Sequence, residues 1–219
     1  MTTERRSVFI AGGTGYIGQR LIPRLLDRGH ELRALVRPGS ERKLPEGCTA
    51  VMGNALDGAS YAGNISAADT FVQLVGVAHP SPAKAAEFRK IDRPAGLGAV
   101  AAAKAAEIRH FVYVSVAHPA PMMHAYIAVR AECEAAIDAA GLHATILRPW
   151  YVLGPGHRWP YCLLPIYKIA ELLPQTRDGA RRLGLVTLEQ MLRALTFAVE
   201  NPLQGKRVMG VPEIRAAIV

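Results

Sequence analysis

A glycine-rich turn near the N-terminus constrains this 219-residue chain more than any other feature. It follows a short apolar run, residues 8–10, with the length and β-branched content of a buried strand. A helical spacing of apolar residues follows it, from Ile17 to Leu26. Glycines allow positive φ, and their missing side chains let main-chain N–H groups approach a pyrophosphate at the positive end of a helix that begins near Tyr16. Strand, glycine turn and helix together predict a dinucleotide-binding loop.

The glycines can be read in two registers. Gly13, Gly15 and Gly18 satisfy G-x-G-x-x-G, whereas Gly12, Gly15 and Gly18 give G-x-x-G-x-x-G. The second register resembles the short-chain dehydrogenase superfamily, in particular its extended and atypical branches (NmrA-like and epimerase/dehydratase-like). The resemblance implies a Rossmann fold that binds NAD or NADP; a tight turn without a ligand is the alternative. The cofactor contacts implied within the motif are Gly12, Thr14, Gly15, Tyr16, Ile17 and Gly18.

Composition excludes several other classes of protein. Half of the residues are hydrophobic and a fifth are charged, which is typical of a globular domain. Apolar runs are too short for a membrane span or a signal peptide. The net charge of +8 comes from scattered basic residues, which fits an anionic cofactor better than nucleic acid. The histidines and the distant Cys48, Cys133 and Cys162 lack metal-ligand spacing, so we expect reduced thiols, a cytoplasmic protein and no metal site.

The order of predicted elements gives the fold class. Strands are predicted at residues 8–10, 31–36, 49–52, 70–75, 110–115 and 143–147, alternating with helical segments. Residues 81–107 are mostly helical, with Pro94 near a helix start or kink, and a further helix at 122–140 ends at Gly141. This alternation predicts an α/β fold with a doubly wound parallel sheet.

We predict a nucleotide-binding domain at residues 1–149 and a small C-terminal α/β cap at 150–219 in the same structural unit. The cap is expected to hold an amphipathic segment at 161–173, a strand at 183–186, a helix at 187–199 and a last strand at 206–209. Its aromatic residues either line a substrate pocket or form a small core: Trp150, Tyr151, Trp159, Tyr161 and Tyr167.

The residue that ends the second strand bears on the choice of cofactor. NAD-binding folds usually place Asp or Glu there, where the carboxylate binds the ribose 2′-hydroxyl. This chain has Arg37, 19 residues after Gly18 (37 − 18 = 19). A guanidinium can bind a 2′-phosphate bidentately, whereas a carboxylate would repel it. The sequence therefore favours NADP over NAD, unless Arg37 is simply a solvent-facing residue.

The resemblance implies further cofactor contacts at the ends of the later strands. An Asp or Asn after the third strand touches the adenine edge in the resembled families, and Asn54 stands there; Asp57 belongs to the same loop but can equally cap the short helix that follows. In the resembled families the end of the fourth strand lies beneath the cofactor, and the backbone of the turn after the sixth strand lies against the nicotinamide amide. The implied contacts are Asn54, Asp57, Val75, Gly76, Val77, Val114, Pro149 and Val152.

Ser115, Tyr126 and Arg130 resemble the Ser, Tyr-x-x-x-Lys triad of short-chain dehydrogenases. Tyr126 and Arg130 are four residues apart on a predicted helix and so share one face. In the family, Tyr transfers a proton, Ser polarises the substrate oxygen, and Lys holds the nicotinamide ribose and lowers the pKa of the Tyr. Arg130 departs from that pattern, and an Arg is not a conservative replacement for Lys. Tyr126 could instead only pack against the cofactor or cap, and His118 and His124 are alternative proton-transfer groups.

These residues predict an NADP-dependent oxidoreductase or epimerase/dehydratase-like enzyme that acts on a small carbonyl or alcohol, as a monomer or homodimer. The Arg130 substitution keeps open a second hypothesis, a non-catalytic NmrA-like nucleotide sensor or assembly protein. A sugar-nucleotide epimerase is a third, weakened by the small size of the predicted cap.

Overall fold

The computed structural model describes residues 4–65, 68–156, 175 and 177–218. Seven of the described strands form a parallel sheet in the spatial order third, second, first, fourth, fifth, sixth and ninth. This is the doubly wound Rossmann arrangement, so the predicted fold class is confirmed. The strands are β1 (Ser7–Ala11), β2 (Glu31–Val36), β3 (Thr49–Met52), β4 (Thr70–Gln73), β5 (His110–Val114), β6 (Ala144–Leu147), β7 (Tyr151–Leu153), β8 (Leu185–Thr187) and β9 (Lys206–Met209).

Helices cover both faces of this sheet. The helices of more than one turn are α1 (Gly18–Asp27), α2 (Arg93–Ala105), α3 (His124–Ala140), α4 (Arg177–Arg182), α5 (Leu188–Glu200) and α6 (Val211–Ala216). Alternate residues of β1 point to opposite faces: Val8 and Ile10 join the apolar cluster that includes α1 and α5, while Phe9 joins the cluster that includes α2 and α3. Burial on both faces explains why the strands read as continuous apolar runs.

Two helices differ from the sequence prediction. α1 begins at Gly18 rather than near Tyr16, because a turn closed by the Gly15 N–H and the Gly12 carbonyl (3.0 Å) precedes it. The segment 81–107 is mostly helical, as predicted, but it is divided: a 3₁₀ turn (Pro82–Lys84), a single α turn (Ala85–Glu87) and a π turn (Phe88–Asp92) lead into α2. Pro94 lies in the first turn of α2, as predicted, and has no N–H to continue the α pattern backwards.

The C-terminal part of the chain contributes to the main sheet. β9 pairs in parallel with β6, and α5 packs against α1 across the apolar cluster. β7, which the sequence did not predict, pairs in parallel with β8, which covers residues 185–187 rather than 183–186. The predicted segment 161–173, and with it Tyr161 and Tyr167, lies outside the described residues, as does Trp159.

None of the helices in the described ranges has the length and apolar character needed to cross a membrane.

His110, the first residue of β5, is expected to make stability depend on pH. Its side chain is buried, and Nε2 lies 3.0 Å from Thr145 Oγ1. Burial, aided by the charges of Arg207 and Arg6, lowers the pKa of His110 from 6.5 to about 4. The unfolded chain therefore takes up a proton first as the pH falls. The stability that neutral His110 contributes is complete above pH 6.5 and is lost progressively towards pH 4, by about 3 kcal/mol.

Urea unfolding at about pH 7.5 and pH 4.5 should test this linkage. Wild-type protein should lose more unfolding free energy between the two pH values than His110→Gln, which cannot take up the proton. Equal losses in the two proteins would contradict the assignment to His110.

Candidate nucleotide-binding and active site

The glycine turn packs backbone directly against backbone. Gly12 has φ +92°, and a Cβ there would lie 3.0 Å from the Val75 nitrogen. A Cβ on Gly18 would lie 2.3 Å from the Gly12 carbonyl oxygen and 2.6 Å from Gly13 Cα. No side chain can therefore stand between the turn and the start of α1. The turn forms a main-chain cradle of the kind that accepts a pyrophosphate at a helix N-terminus.

Tyr16 links this cradle to the backbone after β7. The Arg20 guanidinium stands 4.4 Å from the centre of the Tyr16 ring and donates to the Tyr16 carbonyl at 2.8 Å. A Cβ on Gly154 would lie 2.2 Å from the Tyr16 hydroxyl oxygen, so the ring reaches that backbone only because residue 154 is glycine. The structure thus places Tyr16 near the segment that contains Val152.

A cavity of about 560 Å³ lies beyond the carboxyl ends of β2 and β3, lined by Arg37, Pro38, Met52, Gly53 and Asn54. The structure therefore brings Arg37 and Asn54 to one place, at the edge of a parallel sheet where nucleotides bind. Asp57 has a local role: its Oδ1 accepts from the Ala59 N–H at 3.1 Å and caps the short 3₁₀ helix Gly58–Ser60.

Arg130 lies beside the end of β5 and is surrounded by hydrogen-bond partners. Its Nη2 lies 2.5 Å from Asp92 Oδ1, and both side chains are at least 95% buried. Its Nη1 donates to the Val114 carbonyl at 2.9 Å and to the Tyr113 hydroxyl at 3.3 Å. Burial alone would lower the pKa of Arg130, but Tyr126, Tyr113 and Asp92 outweigh it and the pKa is raised. The guanidinium therefore stays charged and joins α3 to the end of β5.

The same ion pair reaches the loop after β4. Asp92 Oδ2 accepts from the Val77 N–H at 3.1 Å. A Cβ on Gly76 would lie 2.3 Å from Arg130 Nη2 and 2.9 Å from Asp92 Oδ1, so only glycine leaves room for the pair. The structure thus collects Gly76, Val77 and Val114 around Arg130, while the half-buried Val75 precedes them in the same loop.

Tyr126 is half-buried beside Arg130, as the four-residue spacing predicts. Its ring centre lies 5.0 Å from the guanidinium and 4.7 Å from the Phe88 ring centre. Burial raises the pKa of Tyr126; Arg130 lowers it, and Asp92 raises it again. At neutral pH the side chain is therefore a phenol that can donate a proton.

Ser115 makes contacts that the sequence did not predict. Its hydroxyl is buried and donates to Glu134 Oε1 at 2.5 Å. Glu134 also accepts from Arg148, through Nε at 3.1 Å and through Nη2, and its Oε1 lies 3.8 Å from His118 Nε2. Because the hydroxyl proton is directed to Glu134, Ser115 can still accept, but not donate, a further hydrogen bond in this arrangement. The Pro149 carbonyl accepts a hydrogen bond from the Ala117 N–H at 2.9 Å, which joins the segments that follow β5 and β6.

A second cavity, of about 390 Å³, lies beyond the carboxyl ends of β5, β6 and β9. Its lining combines apolar residues such as Val208, Val211 and Pro212 with titratable and charged side chains, which are His118, Arg148, Arg181, Arg182, Asp178 and Glu213. Arg148 connects this cavity through Glu134 to Ser115.

Sequence reasoning missed Asp92 and Glu134. A signal for Glu134 existed, because residues 126, 130 and 134 follow at intervals of four on one helix and so share a face. Asp92 carried no such signal, since its contact with Arg130 depends on how the π turn packs against α3.

A comparison with protein families matches the part of the chain that contains the glycine turn and strands β2 to β6 of the main sheet. Residues 12–158, two thirds of the chain, match a family model described as NAD(P)H-binding. The chain belongs to this NAD(P)H-binding family. The predicted likeness to NAD(P)-binding Rossmann proteins is confirmed, as is NAD(P) binding at the level of the family.

Two curated proteins that are similar to this chain are reductases. The chain is 27% identical over 213 residues to a ceramide reductase from Caulobacter vibrioides, a match that covers 94% of this chain but only 65% of that protein, less than two thirds of its length. It is 28% identical over 225 residues to a 3-diazoavenalumate denitrifying reductase from a Streptomyces species, covering 90% of this chain and 73% of that protein.

Solved structures share the fold of this NAD(P)H-binding protein. The Bordetella bronchiseptica enzyme WbmH in complex with NAD+ superposes with a TM-score of 0.69 at 22% identity, covering 94% of this chain and 76% of WbmH. A UDP-N-acetylglucosamine 4-epimerase from Methanobrevibacter ruminantium gives 0.67 at 20% identity, covering 94% and 77%. At these identities the likeness concerns the fold alone.

Proposed function

We propose that this protein is an NADP-dependent oxidoreductase that reduces a small carbonyl compound to an alcohol. The observation that carries the proposal is the half-buried phenol of Tyr126 beside the buried Arg130 guanidinium, next to the loop that holds Gly76 and Val77. The names of the two curated relatives, both reductases, support the same reaction class.

The residues of the cradle and of the 560 Å³ cavity fit a dinucleotide. The main chain of residues 12–18 would hold the pyrophosphate, and Arg37 with Asn54 would hold the adenosine end. The nicotinamide half would lie against the strand-end segments that contain Val75, Val114 and Val152. When bound, the reduced cofactor supplies a hydride to the carbonyl carbon.

The protein's own part in the reaction is the proton. Tyr126 donates its phenolic proton to the carbonyl oxygen, which completes the alcohol, and burial favours this role because it keeps the phenol protonated. Arg130 contacts the Tyr126 ring and binds the end of β5 at the Val114 carbonyl. Through Asp92 it is also connected to the loop after β4. Ser115 donates its hydroxyl proton in a hydrogen bond to Glu134, so in this arrangement it can only accept a hydrogen bond, such as one from the hydroxyl of the alcohol product.

NADPH is expected to bind more tightly than NADH, because Arg37 lines the cavity at the adenosine end and can pair with the 2′-phosphate. Calorimetric titration measures both affinities. Arg37→Gln should lose roughly 10-fold to 100-fold in NADPH affinity, the size of a charge-assisted hydrogen bond, and little in NADH affinity. Arg109→Gln makes the same charge change at an exposed position before β5 and should alter neither affinity. Tighter binding of NADH by the wild type would overturn the preference for NADP.

Turnover is tested by the oxidation of NADPH, followed at the absorbance of the reduced nicotinamide, with a panel of small aldehydes, ketones and quinones. Oxidation that depends on the added carbonyl, with the matching alcohol recovered, would support the oxidoreductase. Tight NADPH binding with no oxidation across the panel would contradict it.

The engagement of Arg130 favours a second candidate function, a nucleotide sensor or assembly protein without turnover. The guanidinium is already paired with Asp92, the Val114 carbonyl and the Tyr113 hydroxyl, so these donors are not available to a ribose. The result that contradicts the oxidoreductase would support this candidate.

A sugar-nucleotide epimerase is the third candidate, supported by the shared fold of UDP-sugar enzymes. Incubation with UDP-N-acetylglucosamine and NAD, followed by proton NMR of the product, distinguishes it: a second, epimeric anomeric signal would support epimerisation, and an unchanged spectrum would oppose it.

We also propose a cytoplasmic protein that is a monomer or homodimer. Cys48 and Cys133 are free thiols, and Cys133 is fully buried between α2 and α3, which suits a reducing compartment. Ultracentrifugation of the purified chain measures the oligomeric state.

A further inference from the structure

The π turn Phe88–Asp92 brings one side chain to each member of the Tyr126/Arg130 pair. Phe88, at its start, packs on the Tyr126 ring with 4.7 Å between ring centres. Asp92, at its end, pairs with Arg130 at 2.5 Å. A π turn shifts the following residues around the helix relative to an unbroken α-helix, and such turns often occur at functional sites. Here the shift serves both contacts at once.

The carboxylate of Asp92 is held on both oxygens. Oδ1 pairs with Arg130, and Oδ2 accepts from the Val77 N–H at 3.1 Å. The side chain is fully buried. A buried carboxylate is costly unless it is paired and hydrogen-bonded, and Asp92 satisfies both conditions. The pair therefore fixes the loop after β4 against α3.

Among the described residues, Arg130 and Asp92 are the charged groups that act on Tyr126. Arg130 lies on the same helix, and Asp92 faces it from the π turn. Arg130 donates to the Tyr113 hydroxyl of β5, and Cys133 of α3 interacts with that tyrosine. The remaining cations of the neighbouring turns point elsewhere: Lys84 donates to the Ala78 carbonyl at 2.7 Å, Arg93 binds Glu132, and Arg89 and Lys90 are exposed.

The charge of Asp92 affects the protonation of Tyr126 through Arg130. A lone buried guanidinium 5.0 Å from a phenol ring would favour the phenolate, which is a proton acceptor. A carboxylate on that guanidinium offsets its charge and leaves the guanidinium's position unchanged. With Asp92 present, Tyr126 keeps its proton while its ring stays in contact with the Arg130 guanidinium.

We propose that Asp92 is a positioning residue of the active site, which holds Arg130 against the ends of β4 and β5 and offsets its charge, so that Tyr126 acts as a proton donor. The inference rests on the proposed function in one respect, the use of that proton in carbonyl reduction. There the Tyr126 O–H bond breaks, the proton forms the O–H bond of the alcohol, and the hydride from the reduced cofactor forms the C–H bond.

The test is a pH titration of Tyr126 by NMR in protein labelled at tyrosine Cζ, with Tyr126→Phe to assign the resonance. In the wild type, the pKa of Tyr126 should lie above the usual value near 10. In Asp92→Asn the charge of Arg130 is no longer offset, and the pKa of Tyr126 should fall by about 1 unit or more. An unchanged Tyr126 titration in Asp92→Asn would overturn the proposal.

Glu132→Gln is the matched control. Glu132 pairs with Arg93 at 2.6 Å, so this ion pair joins the start of α2 to α3 at an exposed position, where both side chains are more than 40% exposed. The substitution makes the same change of charge within two residues of Arg130, and it should leave the titration of Tyr126 unchanged. A shift equal to that of Asp92→Asn would show a general charge effect and would also overturn the proposal.

Asp92→Asn leaves a buried guanidinium without its counter-ion, and it can fail to fold. The double variant Asp92→Asn with Arg130→Gln removes both charges and keeps the proposal testable. If Asp92 offsets Arg130, the pKa of Tyr126 in the double variant should stay within about half a unit of the wild type. A rise of about 1 unit or more would show that Arg130 acted unopposed in the wild type.

These titrations need neither substrate nor cofactor. A shifted Tyr126 in Asp92→Asn combined with a negative carbonyl screen would count against the proposed reaction and leave the role of Asp92 intact. The reverse combination, turnover with an unshifted Tyr126, would count against Asp92 alone.

Discussion

Replacing Gly18 with alanine is expected to weaken NADPH binding by about 100-fold or more, which corresponds to about 2.7 kcal/mol. The added Cβ would lie 2.3 Å from the Gly12 carbonyl oxygen and 2.6 Å from Gly13 Cα, and both neighbours are backbone atoms that cannot rotate away. The turn must therefore open, which moves its N–H groups away from the pyrophosphate. Calorimetric titration with NADPH measures the loss, and circular dichroism of the variant shows whether the fold is retained.

Gly63→Ala is the matched control for this substitution. Gly63 lies in a short 3₁₀ helix, and an added Cβ would meet nothing within 4 Å. It should bind NADPH as the wild type does. Wild-type affinity in Gly18→Ala would mean that the cradle is not the pyrophosphate site, whereas equal losses in both variants would point to a general loss of stability.

The glycine turn could be predicted from sequence because its cause is local. Gly12 must adopt φ +92°, and Gly18 must lie against the Gly12 carbonyl, so the spacing of the glycines records the backbone geometry itself. Arg37 and Asn54 could be located for a related reason. Each follows a predicted strand, and the carboxyl ends of parallel strands meet at one edge of the sheet.

The environment of the triad-like residues could not be predicted in the same way. The spacing of Tyr126 and Arg130 correctly gave one helix face, but it could not show that Arg130 would be paired with Asp92. That contact depends on a π turn, and the choice between an α and a π turn within residues 81–107 is made by packing against α3 rather than by any local residue signal.

Ser115 illustrates a different limit. Its position at the end of β5 followed from the strand pattern, but its hydrogen bond goes to Glu134, nineteen residues later in the chain. Glu134 also accepts a hydrogen bond from Arg148, which follows β6. Ser115 and Arg148 lie close together because β5 and β6 are neighbours in the sheet. Sequence pattern places residues on elements, whereas hydrogen-bond partners across elements require the packed structure.

Replacing Tyr126 with phenylalanine is expected to lower the rate of reduction by about 10²-fold to 10⁴-fold for whichever carbonyl the panel shows to be reduced. The substitution removes only the hydroxyl, and the ring keeps its contacts with Phe88 and Arg130. NADPH affinity should therefore stay within about threefold of the wild type, a change of less than 1 kcal/mol. Steady-state kinetics and calorimetric titration of the same preparation separate the two effects.

Tyr61→Phe provides the comparison for loss of a tyrosine hydroxyl elsewhere. Tyr61 is buried against Phe9 and Phe71, in the apolar cluster on the face of the sheet that α2 and α3 cover, and not beside Arg130, so the rate should be unchanged. A Tyr126→Phe variant that reduces the carbonyl at the wild-type rate would remove Tyr126 from the proton-transfer step. The donor would then have to lie among the other groups near the strand ends, and the chain from Ser115 through Glu134 to His118 is the one that reaches the neighbouring cavity.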